Sequence, residues 1–216
     1  MIKIKKFVFN PFFENTFVVW DDETLLAAVI DPGCSNSKEE NELKGFIKNQ
    51  NLKIEYLLNT HCHIDHILGC NFILKEYSPV YYAPELDLPL LENAEYQASM
   101  FGLNIQPIKK PDNFLDEETK IKIGSYDIQV LFTPGHTPGE VCFYFPLSKI
   151  CISGDVLFQG SIGRTDLMGG NLSALLNSIK SRLLSLPAET IIYPGHGPES
   201  TIEEEKKYNP FLREIV

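Results

Sequence analysis

Thr60-His61-Cys62-His63-Ile64-Asp65-His66 gathers three imidazoles and a carboxylate into seven residues. The chain's other histidines stand in two Pro-Gly turns, Thr133-Pro134-Gly135-His136-Thr137-Pro138-Gly139 and Tyr193-Pro194-Gly195-His196-Gly197. There are five histidines in all, so none is left over for an unrelated place on the surface or in the core. Neutral imidazole is the most widely used metal ligand, and scattered helix caps or core groups would not concentrate in this way.

The spacing carries chemistry of its own. His61 and His63 are two apart on an extended segment, so both side chains can point to one side. Asp65 and His66 follow as the chain turns into a helix and can aim at a neighbouring position. The cluster thus offers two imidazoles for one metal and a carboxylate–imidazole pair for a second. His136 and His196 arrive from later loops, where glycine allows close backbone approach. Asp155 follows the apolar run Ile150-Cys151-Ile152-Ser153-Gly154. A carboxylate at that strand end could span two cations and lower their mutual repulsion.

Working outward, the 216 residues suffice for a single domain, 1–216, with a full core, and 44% hydrophobic with 22% charged residues is ordinary soluble globular composition. A formal net charge of −10 disfavours nucleic acid and acidic membrane surfaces as partners. The five cysteines form no CxxC pair, which suggests reduced thiols and a cytoplasmic location. The opening Met-Ile-Lys-Ile-Lys-Lys-Phe-Val-Phe alternates like a strand rather than a signal peptide, and no apolar run reaches membrane-spanning length.

Alternation predicts strands at 2–9, 15–20, 25–30, 54–58 and 79–83, with helices over 37–50, 67–77 and 84–101. Residues 103–118 read as a surface connection. Strands are then predicted at 119–123, 126–132, 141–145, 149–153 and 190–193. Between the last two lie a loop at 159–170 and a helix over 172–185. A final helix starts near Ser200 or Thr201, its acids early and Lys206 and Lys207 late, as the helix dipole favours. Two batches of strands with helices suggest two packed sheets with helices outside. Tyr96, Met100 and Phe101 share a helical spacing and are expected to pack into the core.

Together the Thr-His-x-His-x-Asp-His, Thr-Pro-Gly-His-Thr-Pro-Gly, Ser-Gly-Asp and Pro-Gly-His-Gly motifs resemble the metallo-β-lactamase superfamily, in order, from about Phe12 through Pro198. The resemblance implies an α/β fold, an αββα sandwich of two mixed sheets flanked by helices, with metals at one edge. It implies that His61, His63 and His136 hold one divalent metal, that Asp65, His66 and His196 hold another, and that Asp155 bridges them. Zinc is the expected metal, with iron and manganese compatible with the same donors. Asp31, in an Asp-Pro-Gly turn, reads either as a plain turn residue or as a group that orients a ligand histidine. Cys62 alternates with the ligand histidines and should face the core, with Cys34 and Cys70 inert.

Two cations about 3.5–4 Å apart can share a hydroxide able to attack a carbonyl, with Asp65 holding it as catalytic residue. No histidine is left for a Ser-His or Cys-His pair, so metal-assisted hydrolysis is the default chemistry. Within the superfamily the chain looks most like short glyoxalase II enzymes, which cleave S-lactoylglutathione and related acyl thioesters. Where that group carries Lys and then an aromatic residue, the run Phe158 to Asp166 has Arg164 and Asp166. Arg164 reads either as a two-pronged clamp for a substrate carboxylate or as a partner of Asp166 or a loop carbonyl. The glutathione-gripping helical region of full-length glyoxalase II has no counterpart in the some twenty residues after His196. The rival is a mononuclear iron persulfide dioxygenase of the same fold, which shares Gly163-Arg164-Thr165-Asp166. A secreted β-lactamase, an RNA-gripping nuclease and a flavin-dependent electron carrier each need segments not found here, and a non-enzymatic metal-binding module would be expected to have lost ligands.

Overall fold

Inward alternation of Phe7 and Phe9 makes residues Ile2–Phe9 an amphipathic edge strand, β1. The computed structural model describes residues 1–213. β1 pairs antiparallel with β2 (Glu14–Asp21), and β2 with β3 (Leu26–Ile30). β3, β4 (Lys53–Leu58) and β5 (Val80–Pro84) then run parallel, and β6 (Asn113–Leu115) completes a six-stranded sheet. A second six-stranded sheet has the order β14-β13-β10-β9-β8-β7. Its members are β7 (Ile121–Ile123), β8 (Tyr126–Phe132), β9 (Val141–Phe145), β10 (Ile150–Gly154), β13 (Ile191–Pro194) and β14 (Ser200–Thr201). β10 and β13 are parallel and the flanking pairs β8–β9, β9–β10 and β13–β14 antiparallel. A two-stranded hairpin, β11 (Leu157–Phe158) with β12 (Ser161–Ile162), forms a ladder of its own.

Helices flank the two mixed sheets, as the sequence resemblance leads one to expect. The contacts group the chain into two compact units, one of residues 1–114 with 122–126, the other of 115–121 with 127–216. In the first, α1 (Ser37–Asn49) is capped by the Asn36 side chain and buries Leu43 and Ile47 with Val29, Leu57 and Ile73. Each such aliphatic side chain contributes roughly 1.5–3 kcal/mol by leaving water. α2 (Ile64–Ile67) and α3 (Cys70–Tyr77) complete that face. In the second unit, α6 (Leu172–Ser178) and α7 (Ile202–Tyr208) bury Leu175 and Ile202 with Cys151 and Ile192. Thr201 caps α7, and Glu203, Glu204 and Glu205 fill its first turn, where negative charge meets the helix dipole.

Five expectations need correction, the first being that 103–118, read as a surface connection, contains β6 and so reaches the edge of the first sheet. The single helix predicted over 84–101 is a 3-10 turn followed by α4 (Leu88–Glu92) and α5 (Ala94–Met100). Pro89 starts a new helix, and Asn93, with its amide on the Pro89 carbonyl, ends it. Tyr96, Met100 and Phe101 are not core: they are 66%, 58% and 55% exposed. The inward face of α5 is instead Ala94, Gln97 and Ala98, small or amide-bearing groups that let the helix approach closely. The 159–170 loop contains β12, and the helix over 172–185 leaves α geometry after Ser178 for a π turn, Ile179–Leu183. Among the described residues no helix is long and apolar enough to cross a membrane. All five cysteines are free thiols and buried. Burial pushes the thiols of Cys34, Cys62 and Cys70 well up from the ordinary range.

Candidate metal centre

Parallel pairing brings strand ends together, and that fact builds the first unit's cluster. β3 and β4 run side by side, so Asp31, just past β3, emerges next to Asn59 and Thr60, just past β4. Asp31 is buried and holds φ +49°, a left-handed conformation that aspartate tolerates better than most residues. Its carboxylate accepts hydrogen bonds from the Thr60 backbone N–H at 2.7 Å and the Thr60 hydroxyl at 2.6 Å. Its Oδ2 also lies 3.2 Å from His66 Nδ1. With its hydroxyl proton committed to Asp31, Thr60 can only accept from His61 Nδ1, 3.1 Å away. Both rings therefore carry the proton on Nδ1 and present the Nε2 lone pair.

Backbone groups of the cluster are held with equal care. Asn59 donates to the His66 carbonyl at 3.0 Å, and Asn10 donates to the Asp65 carbonyl at 2.9 Å and the Gly33 carbonyl at 3.0 Å. Between His61 and His63, the Cys62 peptide donates to Asp87 at 3.1 Å and accepts from Gln97 at 3.2 Å. The Cys62 side chain lies in the core cluster. The His61 ring centroid sits 5.0 Å from that of His63 and 4.1 Å from that of His66, and His66 Nε2 is 3.7 Å from Asp65. Buried Glu14 lies behind this group. Its Oε2 accepts from Thr16, whose hydroxyl takes the Gly33 N–H at 2.8 Å, and burial pushes its carboxyl well above the usual range.

The second unit repeats the logic. β10 and β13 are parallel with Gly154 opposite Pro194, so Asp155 and Gly195-His196 leave the sheet side by side. Asp155 Oδ2 is 3.5 Å from His136 Nε2 and 3.6 Å from His196 Nε2. His136 Nδ1 lies 2.8 Å from the Arg164 carbonyl, an acceptor only, so the proton is on Nδ1 and Nε2 carries the lone pair. Phe158 stands edge-on to the His196 ring, with centroids 6.3 Å apart. The Arg164 guanidinium grips Asp166 through two bonds, 2.7 and 2.8 Å, and holds that carboxyl down to about 2. Of the two partners the sequence allowed for Arg164, the structure displays Asp166.

Three imidazoles anchored through Nδ1 so that Nε2 carries the lone pair, and a carboxylate oxygen beside two imidazoles, form a donor set that fits divalent transition metals. Within the first unit His61, His63, Asp65, His66 and Asp31 come together; within the second His136, Asp155 and His196 do. Sequence reasoning passed over Asn10, Glu14, Gln97 and Glu140. A signal for one of the two glutamates was present: Glu140 directly precedes the apolar strand Val141–Phe145, and both Glu14 and Glu140 are fully buried.

The family profile described as Metallo-beta-lactamase superfamily matches residues 9–196. Hydroxyacylglutathione hydrolase GloC of Haemophilus influenzae is 40% identical over 206 residues, 94% of each chain. The mitochondrial persulfide dioxygenase ETHE1 of Mus musculus is 31% identical over 91% of this chain and 70% of its own. Among solved structures, the BLEG-1 B3 metallo-beta-lactamase superposes with TM-score 0.90 and 37% identity, covering 98% of this chain and all of that one. TTHA1623 in a di-iron-bound form gives 0.86 and 38%, covering 96% and 100%.

Proposed function

The chain belongs to the metallo-β-lactamase superfamily, and from that footing we propose that it is a cytoplasmic thioester hydrolase of glyoxalase II type, acting on S-lactoylglutathione or related acyl thioesters. The observation that carries the reading is the pattern of imidazoles fixed through Nδ1. His61, His63 and His136 would hold one divalent metal, Asp65, His66 and His196 a second, and Asp155 both. When bound, the metals would activate water as a nucleophile and polarise the thioester carbonyl. Zinc suits the donors, and the di-iron form of TTHA1623 makes iron a second candidate.

The chain's own residues would do the rest. Asp31 orients His66 directly and His61 through Thr60. Asp65 would hold the attacking hydroxide while also serving as a ligand of the second metal. Arg164 would exchange Asp166 for a carboxylate on the thiol part of the substrate, a swap that keeps two charge-assisted bonds. The similarity to GloC supports the thioester class.

The test is metal content by elemental analysis with S-lactoylglutathione hydrolysis on the same preparation. Near two metals per chain with thioester cleavage is the expected result, and His61→Ala or Asp155→Ala should abolish turnover. The similarity to ETHE1 supports a second reading, a mononuclear iron persulfide dioxygenase. One iron per chain, no hydrolysis and oxygen uptake with a persulfide would replace the first reading by the second.

A further inference from the structure

Glu140 is a fully buried glutamate between Gly139 and Val141, the first residue of β9. Two features make it a joint between proposed ligands. Its backbone carbonyl accepts the Thr133 N–H at 2.9 Å and the Thr133 hydroxyl at 3.3 Å, closing the 133–140 loop that carries His136. Its side-chain Oε1 accepts the backbone N–H of Asp155 at 2.7 Å. The sheet explains the meeting: β9 and β10 are antiparallel with Ile152 opposite Phe143, so the start of β9 lies across from the end of β10.

Asp155 is pinned on its other side as well. Its carbonyl oxygen packs directly on the Cα of Gly163, where any Cβ would overlap it. Gly154, just before it, has φ +49°, so the chain swings sharply out of β10 at this point. Asp155 thus has its backbone held on both sides of the Cα, by a hydrogen bond to the N–H and by close packing on the carbonyl. Its carboxylate is thereby carried to within 3.6 Å of both imidazoles.

We propose that Glu140 is a positioning residue: its backbone carbonyl shapes the His136 loop and its side-chain carboxylate orients Asp155, so that one residue links the supports of two metal ligands. This rests on the metal-centre reading above. What the role requires is an acceptor oxygen at glutamate's reach. Glutamine keeps that oxygen and loses the charge. Aspartate keeps the charge and falls one methylene short.

The experiment compares wild type, Glu140→Gln and Glu140→Asp after chelator stripping. Zinc affinity and stoichiometry are read by competition with a chromogenic chelator, and protection of the Asp155 amide by hydrogen exchange. Gln should retain affinity within about threefold with the amide protected, whereas Asp should lose about 10–100-fold, the usual effect of removing a partner behind a ligand, with the amide exposed. Gln losing as much as Asp, or Asp binding and protecting like wild type, overturns the proposal. Wild type that binds no zinc while Asp alone unprotects the amide would instead remove the metal reading and leave the positioning role standing.

Discussion

Gly163→Ala puts the second unit's geometry to its most direct test. The added methyl would lie on the Asp155 carbonyl oxygen, 3.1 Å from the carbonyl carbon and 3.3 Å from His136 Cβ. Two of its three neighbours are backbone atoms, which cannot rotate aside, so the segments bearing Asp155 and Gly163 must part by roughly 1 Å. Overpacking of this kind costs about 1–3 kcal/mol, and in a chain of this size each kcal/mol lowers the melting midpoint by about 2–4 °C. A displacement near 1 Å at catalytic groups costs on the order of 100-fold in rate. Differential scanning calorimetry of the metal-stripped protein and kcat/KM on a thioester read the two effects separately. Gly45→Ala is the control: it lies in α1 with nothing within 4 Å of the added methyl, and should stabilise by about 0.5–1 kcal/mol. A Gly163→Ala protein with wild-type melting and wild-type turnover would falsify the account of how Asp155 is held.

Asp31→Ala removes the acceptor of the Thr60 bonds and places alanine at φ +49°, so the metal-stripped protein should lose about 3 kcal/mol or more in urea denaturation and bind zinc at least tenfold more weakly; unchanged zinc binding would reduce Asp31 to a turn residue. Glu14 has its folded carboxyl raised, so the native state keeps a proton that the unfolded chain releases above about pH 4. Stability of the metal-stripped protein should therefore fall as pH rises through that range toward the folded value, and Glu14→Gln should flatten the trend; parallel slopes would contradict it. Asp166→Ser frees Arg164 and should lower KM several-fold for thioesters whose thiol bears a carboxylate, leaving kcat unchanged, whereas an unaltered KM would remove the clamp. Because Asp166 is held at about 2, its pairing with Arg164 weakens only as pH falls toward that value, so the KM effect should be constant across neutral pH.

The longer strands could be read from alternation and apolar runs, since period-two burial depends only on which residues face inward, whereas β6, β11, β12 and β14, two or three residues each, are too short to show a period. The helical stretch 84–101 could not, because its inward positions are Ala94, Gln97 and Ala98 while its bulky residues face water. Hydrophobicity marks the wrong face there. The histidine ligand candidates stood out because all five of the chain's histidines fall in three short motifs. Their supports did not, for Asn10, Gln97 and Glu140 act on backbone atoms 55, 35 and 15 residues away, and nothing local announces such bonds. Asp31 lay between: its turn motif was visible, but only the parallel pairing of β3 and β4 brings it to Thr60 and His66.

The cysteines acquire a meaning once the proposed product is considered. Thioester cleavage releases a free thiol beside the enzyme at every turnover. Mixed disulfides form when a thiolate meets an accessible sulfur, and this chain offers none: all five sulfurs are buried, and burial holds Cys34, Cys62 and Cys70 as neutral thiols. The protein should tolerate a thiol-rich milieu and an oxidising episode alike, with no added reductant needed to keep it monodisperse in its own product.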